Sequence, residues 1–74
     1  MLKDFLGKLK WREARNVLVV IENKSSPGGR MVVPLESVVV GKQYLEIGHT
    51  MVPYPLVKEI SESGKRIWHG EDSE

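Results

Sequence analysis

A polar loop at residues 24–30, Lys-Ser-Ser-Pro-Gly-Gly-Arg, holds the side chains best suited to bind an anion. Its glycines expose backbone N–H groups, its serines carry hydroxyl donors, and a cation stands at each end. This set of donors suits phosphate oxygens, although the spacing is not that of a nucleotide P-loop or a dinucleotide fingerprint. The alternative is a long hairpin loop whose serines and glycines only satisfy turn geometry. The loop predicts a phosphate site formed by six residues, which are Lys24, Ser25, Ser26, Gly28, Gly29 and Arg30.

Aromatic residues form a second candidate site. Tyr54 and Trp68 are predicted to form a stacking wall for bases, with Arg66 adding charge beside Trp68. Tyr44 and Trp11 are further candidates. The alternative for these large residues is burial in the core. We expect Trp11 to end the first helix and pack beneath it, whereas both roles stay open for Trp68.

Catalytic and metal-binding patterns are weak throughout the chain. The two histidines, His49 and His69, fall in a predicted turn and at a strand end, and their spacing indicates no third metal ligand. Neither Ser25 nor Ser26 has an identifiable base that would activate it as a nucleophile. We therefore expect a protein that is not an enzyme, with no catalytic residues, no metal site and no cofactor.

Charge and composition limit the class of protein. The 74 residues carry 11 Lys and Arg, 10 Asp and Glu, and no cysteine. Without the acidic residues 71, 72 and 74, the remainder has 11 basic and 7 acidic side chains, a balance compatible with nucleic-acid contact. No apolar run approaches the ~20 residues of a membrane span, and no signal peptide is recognisable. We expect a soluble, cytoplasmic protein that does not bind membranes.

Hydrophobic spacing defines the elements that must position these residues. Apolar residues at positions 2, 5, 6 and 9 follow the period of one helical face. Residues 16–22 read as a strand so apolar that we expect it to be central, with both faces covered. A Pro-Tyr-Pro stretch at residues 53–55 predicts a rigid corner between strands. Further short strands are predicted at residues 31–33, 38–40, 43–47, 50–52, 56–61 and 65–69.

These elements predict one small domain at residues 1–69 and a disordered acidic tail at residues 70–74. The fold class is α+β, mostly β. The N-terminal helix is expected to lie on a small, strongly bent antiparallel sheet or SH3-like barrel, because one helix and many short strands must share one core.

Four blocks of the chain resemble a known family. They are the helix Leu-x-x-Leu at residues 6–9 with Trp11 after it, the loop Asn-Lys-Ser-Ser-Pro-Gly-Gly at residues 23–29, the segment Val-Pro-Tyr-Pro-Leu-Val at residues 52–57, and Gly-x-x-Ile-Trp at residues 64–68. In order and spacing they are similar to the archaeal RNA cyclic group end recognition domain. The resemblance extends over residues 2–69.

The polar positions depart from that family's pattern. Asn23 and Lys24 stand where the family has His-Arg, Gly29 stands where it has Asp, and Pro55 and Leu56 replace a second His-Arg. The resemblance implies the fold and a role in RNA processing, through recognition of RNA ends that carry a cyclic phosphate. We therefore expect a small RNA-binding module for phosphorylated or cyclic-phosphate ends. The alternative is a protein–protein interaction module, favoured by the apolar pair that replaces charge.

Overall fold

The computed structural model describes residues 2–70. Within them the chain forms one helix and seven strands, which are α1 (Leu2–Trp11), β1 (Val17–Glu22), β2 (Arg30–Pro34), β3 (Val38–Val40), β4 (Tyr44–Ile47), β5 (Thr50–Pro53), β6 (Val57–Glu62) and β7 (Lys65–His69). The predicted α+β, mostly β class is confirmed. Of the predicted acidic tail, residues 71–74 lie outside the described residues. No helix in the described part of the chain has the length and apolar character needed to cross a membrane.

The strands pair in two antiparallel sheets. The first has the order β2-β1-β6-β7, and the second has the order β3-β4-β5. Tight turns at residues 48–49 and 63–64 connect β4 to β5 and β6 to β7 as hairpins. β1 lies between β2 and β6, so its predicted central position is confirmed.

Two proline corners carry the chain between the sheets. After Pro34 a 3₁₀ turn leads from β2 in the first sheet to β3 in the second, and after Pro53 another leads from β5 back to β6. In both, the N–H at the start of the next strand donates to the carbonyl three residues before it, Val38 to Leu35 and Val57 to Tyr54. Proline suits these positions because its fixed φ matches the observed extended backbone and it has no N–H to leave unpaired. The predicted corner is confirmed.

The core is assembled from α1 and the inner faces of both sheets. Leu6 and Leu9 of the helix are buried against a cluster that includes Val19, Leu45 and Ile60. A short helix of this kind is stabilised mainly by such docking, since its intrinsic tendency to form is small. The helix therefore covers one side of the core, as its apolar spacing predicted.

The outer face of the first sheet is open, so the expectation that both faces of β1 are covered was wrong. Val17, Val19 and Ile21 point inward and are buried, whereas Leu18 between them is 42% exposed. Successive strand residues face opposite sides, and only one side of this sheet packs against the core. A run of apolar residues identified a central strand but did not show that a second layer covers it.

Trp11 also lies away from the core, which corrects the prediction that it packs beneath the helix. Its side chain is 89% exposed. A helix turns ~100° per residue, so Trp11 lies ~200° around the axis from Leu9 and ~140° from Leu6. Docking Leu6 and Leu9 into the core therefore directs the indole towards solvent.

Candidate nucleic-acid interface

The glycine-containing loop between β1 and β2 is closed by its own hydrogen bonds. The Asn23 N–H donates to the Gly29 carbonyl at 2.8 Å, and the Gly29 N–H donates to the Ser26 carbonyl at 2.9 Å. The Asn23 side-chain oxygen accepts from the Ser25 N–H at 2.9 Å. Gly28 and Gly29 have φ of 74° and 75°, which a residue with a side chain rarely adopts. Asn23 thus shapes the loop, and the Gly29 amide, predicted as a phosphate donor, is engaged inside it.

A cleft of about 450 Å³ lies between this loop and the outer face of β6 and β7. It brings together Gly28, Gly29, Arg30 and Arg66, four of the predicted site residues. Its described lining is Glu22, Gly28, Gly29, Arg30, Lys58, Glu59, Arg66, His69 and Gly70. Lys24, Ser25 and Ser26, on the other part of the loop, are not among these lining residues. The cleft is therefore built from the end of the predicted loop and from charged strand residues.

A bulge in β6 supplies two of the lining residues. Val20 of β1 pairs with Glu59, but Ile21 pairs with Val57, so Lys58 is an extra residue in the ladder. Val57 and Ile60 are both buried although they are three positions apart, which strict alternation does not allow. The extra residue lets both face the core and leaves Lys58 and Glu59 at the cleft.

A second bulge separates Arg66 from Trp68. Trp68 pairs with Ile60, whereas Arg66 pairs with Ser61, which leaves Ile67 as the extra residue of β7. Because Ile60 faces the core and Ser61 faces the other side, Trp68 packs against the core and Arg66 reaches the cleft. The prediction that Arg66 and Trp68 act side by side was therefore wrong.

Tyr54, the other half of the predicted aromatic wall, is also held elsewhere. It packs against the core, and its hydroxyl donates a hydrogen bond to the Gly41 carbonyl. Burial raises the pKa of the Tyr54 hydroxyl, because the charged phenolate is poorly solvated there. Tyr54 and Trp68 are not among the described lining residues, so no aromatic wall forms at the cleft. Both side chains instead pack against the hydrophobic core.

The cleft combines positive and negative side chains. Glu22 and Lys58 form an ion pair across β1 and β6, with 3.4 Å between Oε1 and Nζ. Glu22 is also paired with Arg30 in the sheet register. Since Lys58 is engaged with a carboxylate, Arg30 and Arg66 are the cations best placed to meet a ligand. Arginine suits a phosphate because its planar guanidinium donates two parallel hydrogen bonds.

His69 and Gly70 complete the rim of the cleft. His69 is paired with Glu59 in the sheet, and its Nδ1 lies 3.1 Å from the Gly70 carbonyl. A carbonyl oxygen only accepts, so Nδ1 carries the hydrogen in this contact, and Nε2 of a neutral ring remains an acceptor. Within residues 2–70, no group of three or more His, Cys, Asp and Glu side chains is arranged to hold a metal ion.

One signal in the sequence points to two of the cleft residues that the loop pattern missed. Lys58 and Glu59 stand between two apolar residues three apart, a spacing that requires a bulge within a strand. His69 is identified only by its pairing with Glu59, which depends on the register of β6 and β7. Glu22 has no sequence signal beyond its place at the end of β1.

Comparison with known proteins identifies relatives along almost the whole chain. A UPF0248 protein of Thermococcus gammatolerans is 31% identical over 71 residues, which cover 90% of this chain and 86% of the relative. UPF0248 proteins of Thermococcus kodakarensis and Pyrococcus abyssi are each 30% identical over 71 residues, covering 88% and 86% of their own lengths.

The chain belongs to the UPF0248 family. These archaeal relatives are small proteins of nearly the same length, and their printed names designate a family without stating an activity. No family model matches the chain. No solved structure matches it. The family assignment therefore rests on these small archaeal relatives.

Proposed function

We propose that this UPF0248 protein is a non-enzymatic RNA-binding module whose cleft holds an RNA phosphate, including a phosphorylated or cyclic-phosphate end. The observation that carries the proposal is the meeting of Arg30 and Arg66 at one cleft. They come from the two edge strands of the first sheet, β2 and β7, and line the same cleft as two glycines. An arginine in the cleft lining offers a phosphate a planar guanidinium that donates paired hydrogen bonds.

The shape of the cleft supports an RNA end as the ligand. Gly28 and Gly29 have no side chains, so a phosphate is able to approach the loop backbone closely. The volume of about 450 Å³ lies within the range of small-ligand sites and suits a terminal nucleotide. A terminal phosphate or cyclic phosphate is one compact anionic group, which fits a cleft with two arginines in its lining better than a long groove would.

The resemblance to the RNA cyclic group end recognition domain supports the same ligand. That family's two His-Arg pairs correspond here to Asn23-Lys24 and Pro55-Leu56. The proposed cleft draws its cations instead from Arg30 and Arg66, with His69 at its rim. Phosphate recognition is thereby compatible with the loss of the family's polar residues.

Binding of short RNAs that differ only at the 3′ end tests this proposal. We expect fluorescence anisotropy at two salt concentrations to give tighter binding of 2′,3′-cyclic phosphate and 3′-phosphate ends than of a 3′-hydroxyl end. Arg66→Gln and Arg30→Gln should each weaken binding of the phosphorylated end by roughly 10- to 100-fold, as expected for a charged hydrogen bond. Arg15→Gln, which removes an exposed arginine outside the cleft, is the matched control.

The outcomes separate the parts of the proposal. Equal binding of all three ends would exclude end recognition but leave phosphate binding. Equal losses of RNA affinity in Arg66→Gln and Arg15→Gln would exclude the cleft as the phosphate-binding site. Absence of binding to every RNA at low salt, where phosphate contacts are strongest, would refute RNA binding itself.

Protein docking is the second candidate function, and one observation favours it. Leu56, which suggested it, is half-buried against the core and forms no exposed patch. Val39 and Met51, however, are 59% and 60% exposed on the outer face of the second sheet, near Lys42 and Glu46. One acid and one base beside apolar residues make this surface self-complementary under a two-fold axis, so a second copy of the chain is the partner it fits. A wild type with the mass of a dimer in solution and a Met51→Glu variant with the mass of a monomer would support this function. A wild type that stays monomeric at high concentration would refute it.

A further inference from the structure

Trp11 is the most exposed large apolar side chain of the described residues. Full burial of an aromatic residue removes ~150–250 Å² from water, so leaving tryptophan in solvent forfeits a large stabilisation. Trp11 lies at the end of α1, opposite the buried Leu6 and Leu9, and contributes nothing to the core. Packing within the chain therefore gives no reason for an indole at this position.

The surface next to Trp11 is a shallow groove along the helix. Lys3, Gly7 and Trp11 follow one another at intervals of four residues and so form one stripe of the helix surface. A Cβ at Gly7 would have nothing within 4 Å, so the space beside the indole is open. Val40 of β3 adds an apolar contact at the side of the groove. The result is a shallow, mainly apolar recess of about 700 Å³ beside the indole.

Positive charge surrounds this recess. The groove is lined by Lys3, Lys8 and Arg12 against one carboxylate, Asp4. The Arg12 guanidinium is held by Glu62 through contacts of 2.9 and 3.3 Å. Lys3 and Lys8 are therefore the cations available to an anionic ligand beside the ring.

We propose that Trp11 is a stacking platform for one base of single-stranded RNA, with Lys3 and Lys8 contacting the phosphates on either side. This rests on the proposed RNA-binding function and adds a second contact site to it. A base offers a planar apolar face and adjacent negative charge, the two properties that the groove complements. A base of RNA fits better than an apolar protein segment, because Lys3 and Lys8 beside the indole are complementary to the phosphates of a nucleic-acid chain.

The position of Trp11 also suits an RNA strand that continues to the cleft. The Arg12–Glu62 ion pair ties the end of α1 to the end of β6, whereas Lys58 and Glu59 line the cleft near the start of β6. The two sites thus lie towards opposite ends of one strand. An RNA that contacts both sites must therefore extend along β6 and cross from the core side of the first sheet, where α1 packs, to its outer face.

Variants at Trp11 test the stacking role by fluorescence anisotropy. The probes are a labelled short oligoadenylate and an abasic ribose-phosphate chain with the same number of phosphates. We expect Trp11→Leu to weaken oligoadenylate binding by about 5- to 100-fold, from the usual contribution of a stacked base, and to leave the abasic chain unaffected. Trp11→Phe, which keeps an aromatic face, should retain most of the affinity. Leu18→Met, at an exposed apolar position that lines neither the groove nor the cleft, is the matched control.

Each result separates this inference from the proposed function. Equal affinity of the wild type and Trp11→Leu for oligoadenylate, while Arg66→Gln weakens it, would overturn the stacking role and leave the cleft intact. Weaker oligoadenylate binding by Trp11→Leu, with unchanged binding by Arg66→Gln, would support stacking and overturn the proposal that the cleft binds RNA. Equal losses for the oligoadenylate and the abasic chain would overturn stacking in favour of charge alone. Absence of wild-type binding to either probe would overturn both.

Discussion

Substitution of two glycines by alanine makes the same chemical change in two different surroundings. Gly7 lies inside α1, where an added Cβ would have nothing within 4 Å. Gly41 lies between β3 and β4, where an added Cβ would be 2.7 Å from the Tyr44 carbonyl oxygen. That oxygen also accepts the Gly41 N–H at 2.9 Å, so it is held in place by the bond. We expect Gly7→Ala to stabilise the protein and Gly41→Ala to destabilise it.

The magnitudes follow from these surroundings. Alanine in a helix interior is ~0.8–1 kcal/mol more favourable than glycine, and Gly7→Ala meets no opposing contact. Gly41→Ala forces two backbone segments apart, and an insertion of this kind costs ~1–3 kcal/mol. In a domain of this size each kcal/mol shifts Tm by ~4–8 °C. Gly7→Ala should therefore raise Tm by ~3–8 °C, and Gly41→Ala should lower it by ~4–24 °C.

Urea unfolding followed by circular dichroism measures both free energies of unfolding. Equal slopes in urea for the wild type and the variants would show that only stability has changed. Lys8→Ala is the control in the same helix, since lysine and alanine differ little in helix propensity. A Gly41→Ala variant as stable as the wild type, or a Gly7→Ala variant less stable than it, would refute the placement of these residues.

Two further changes test how the core and the second proline corner are held. Tyr54→Phe removes the hydrogen bond to the Gly41 carbonyl and should cost ~0.5–1.5 kcal/mol at neutral pH. Burial raises the pKa of the Tyr54 hydroxyl above its ordinary value of 10.0, so wild-type stability should decline as the pH rises above 10.0 towards the folded-state pKa. Over this pH range the urea midpoint of Tyr54→Phe should decline less than that of the wild type. Equal declines in the two proteins would contradict this explanation. Ile60→Ala removes most of a fully buried side chain and should lower the free energy of unfolding by ~2–5 kcal/mol. This is a large part of the ~4–11 kcal/mol expected for a domain of this length. A urea midpoint unchanged from the wild type would contradict the placement of Ile60 in the core.

The elements that local sequence specifies were predicted well. The helix at residues 2–11 follows from four apolar residues on one face, and β3 and β7 begin and end where the sequence placed them. The proline corner at residues 53–55 follows from restrictions that proline imposes on itself and its neighbour. In each case the pattern that specifies the element lies within a few residues, and docking onto the core then stabilises it.

The predictions that failed depend on which face a residue occupies. Arg66 was expected to add charge beside Trp68, but the bulge at Ile67 places the two side chains on opposite sides of the sheet. Trp11 was expected in the core because large aromatic residues are usually buried, but the docking of Leu6 and Leu9 directs it outward. Both outcomes depend on pairing and docking between distant segments, which no local window contains.

By itself, the sequence determined the class of fold, the order of its elements and the glycine-containing loop, because periodicity and turn chemistry act over short distances. Only the tertiary structure decided which charged side chains line the same cleft. Arg30 and Arg66 line one cleft because β2 and β7 belong to the same sheet, and because the bulge in β7 turns Trp68 towards the core while Arg66 faces the cleft. Strand register sets the face of every side chain, and register is a property of paired strands rather than of either strand alone.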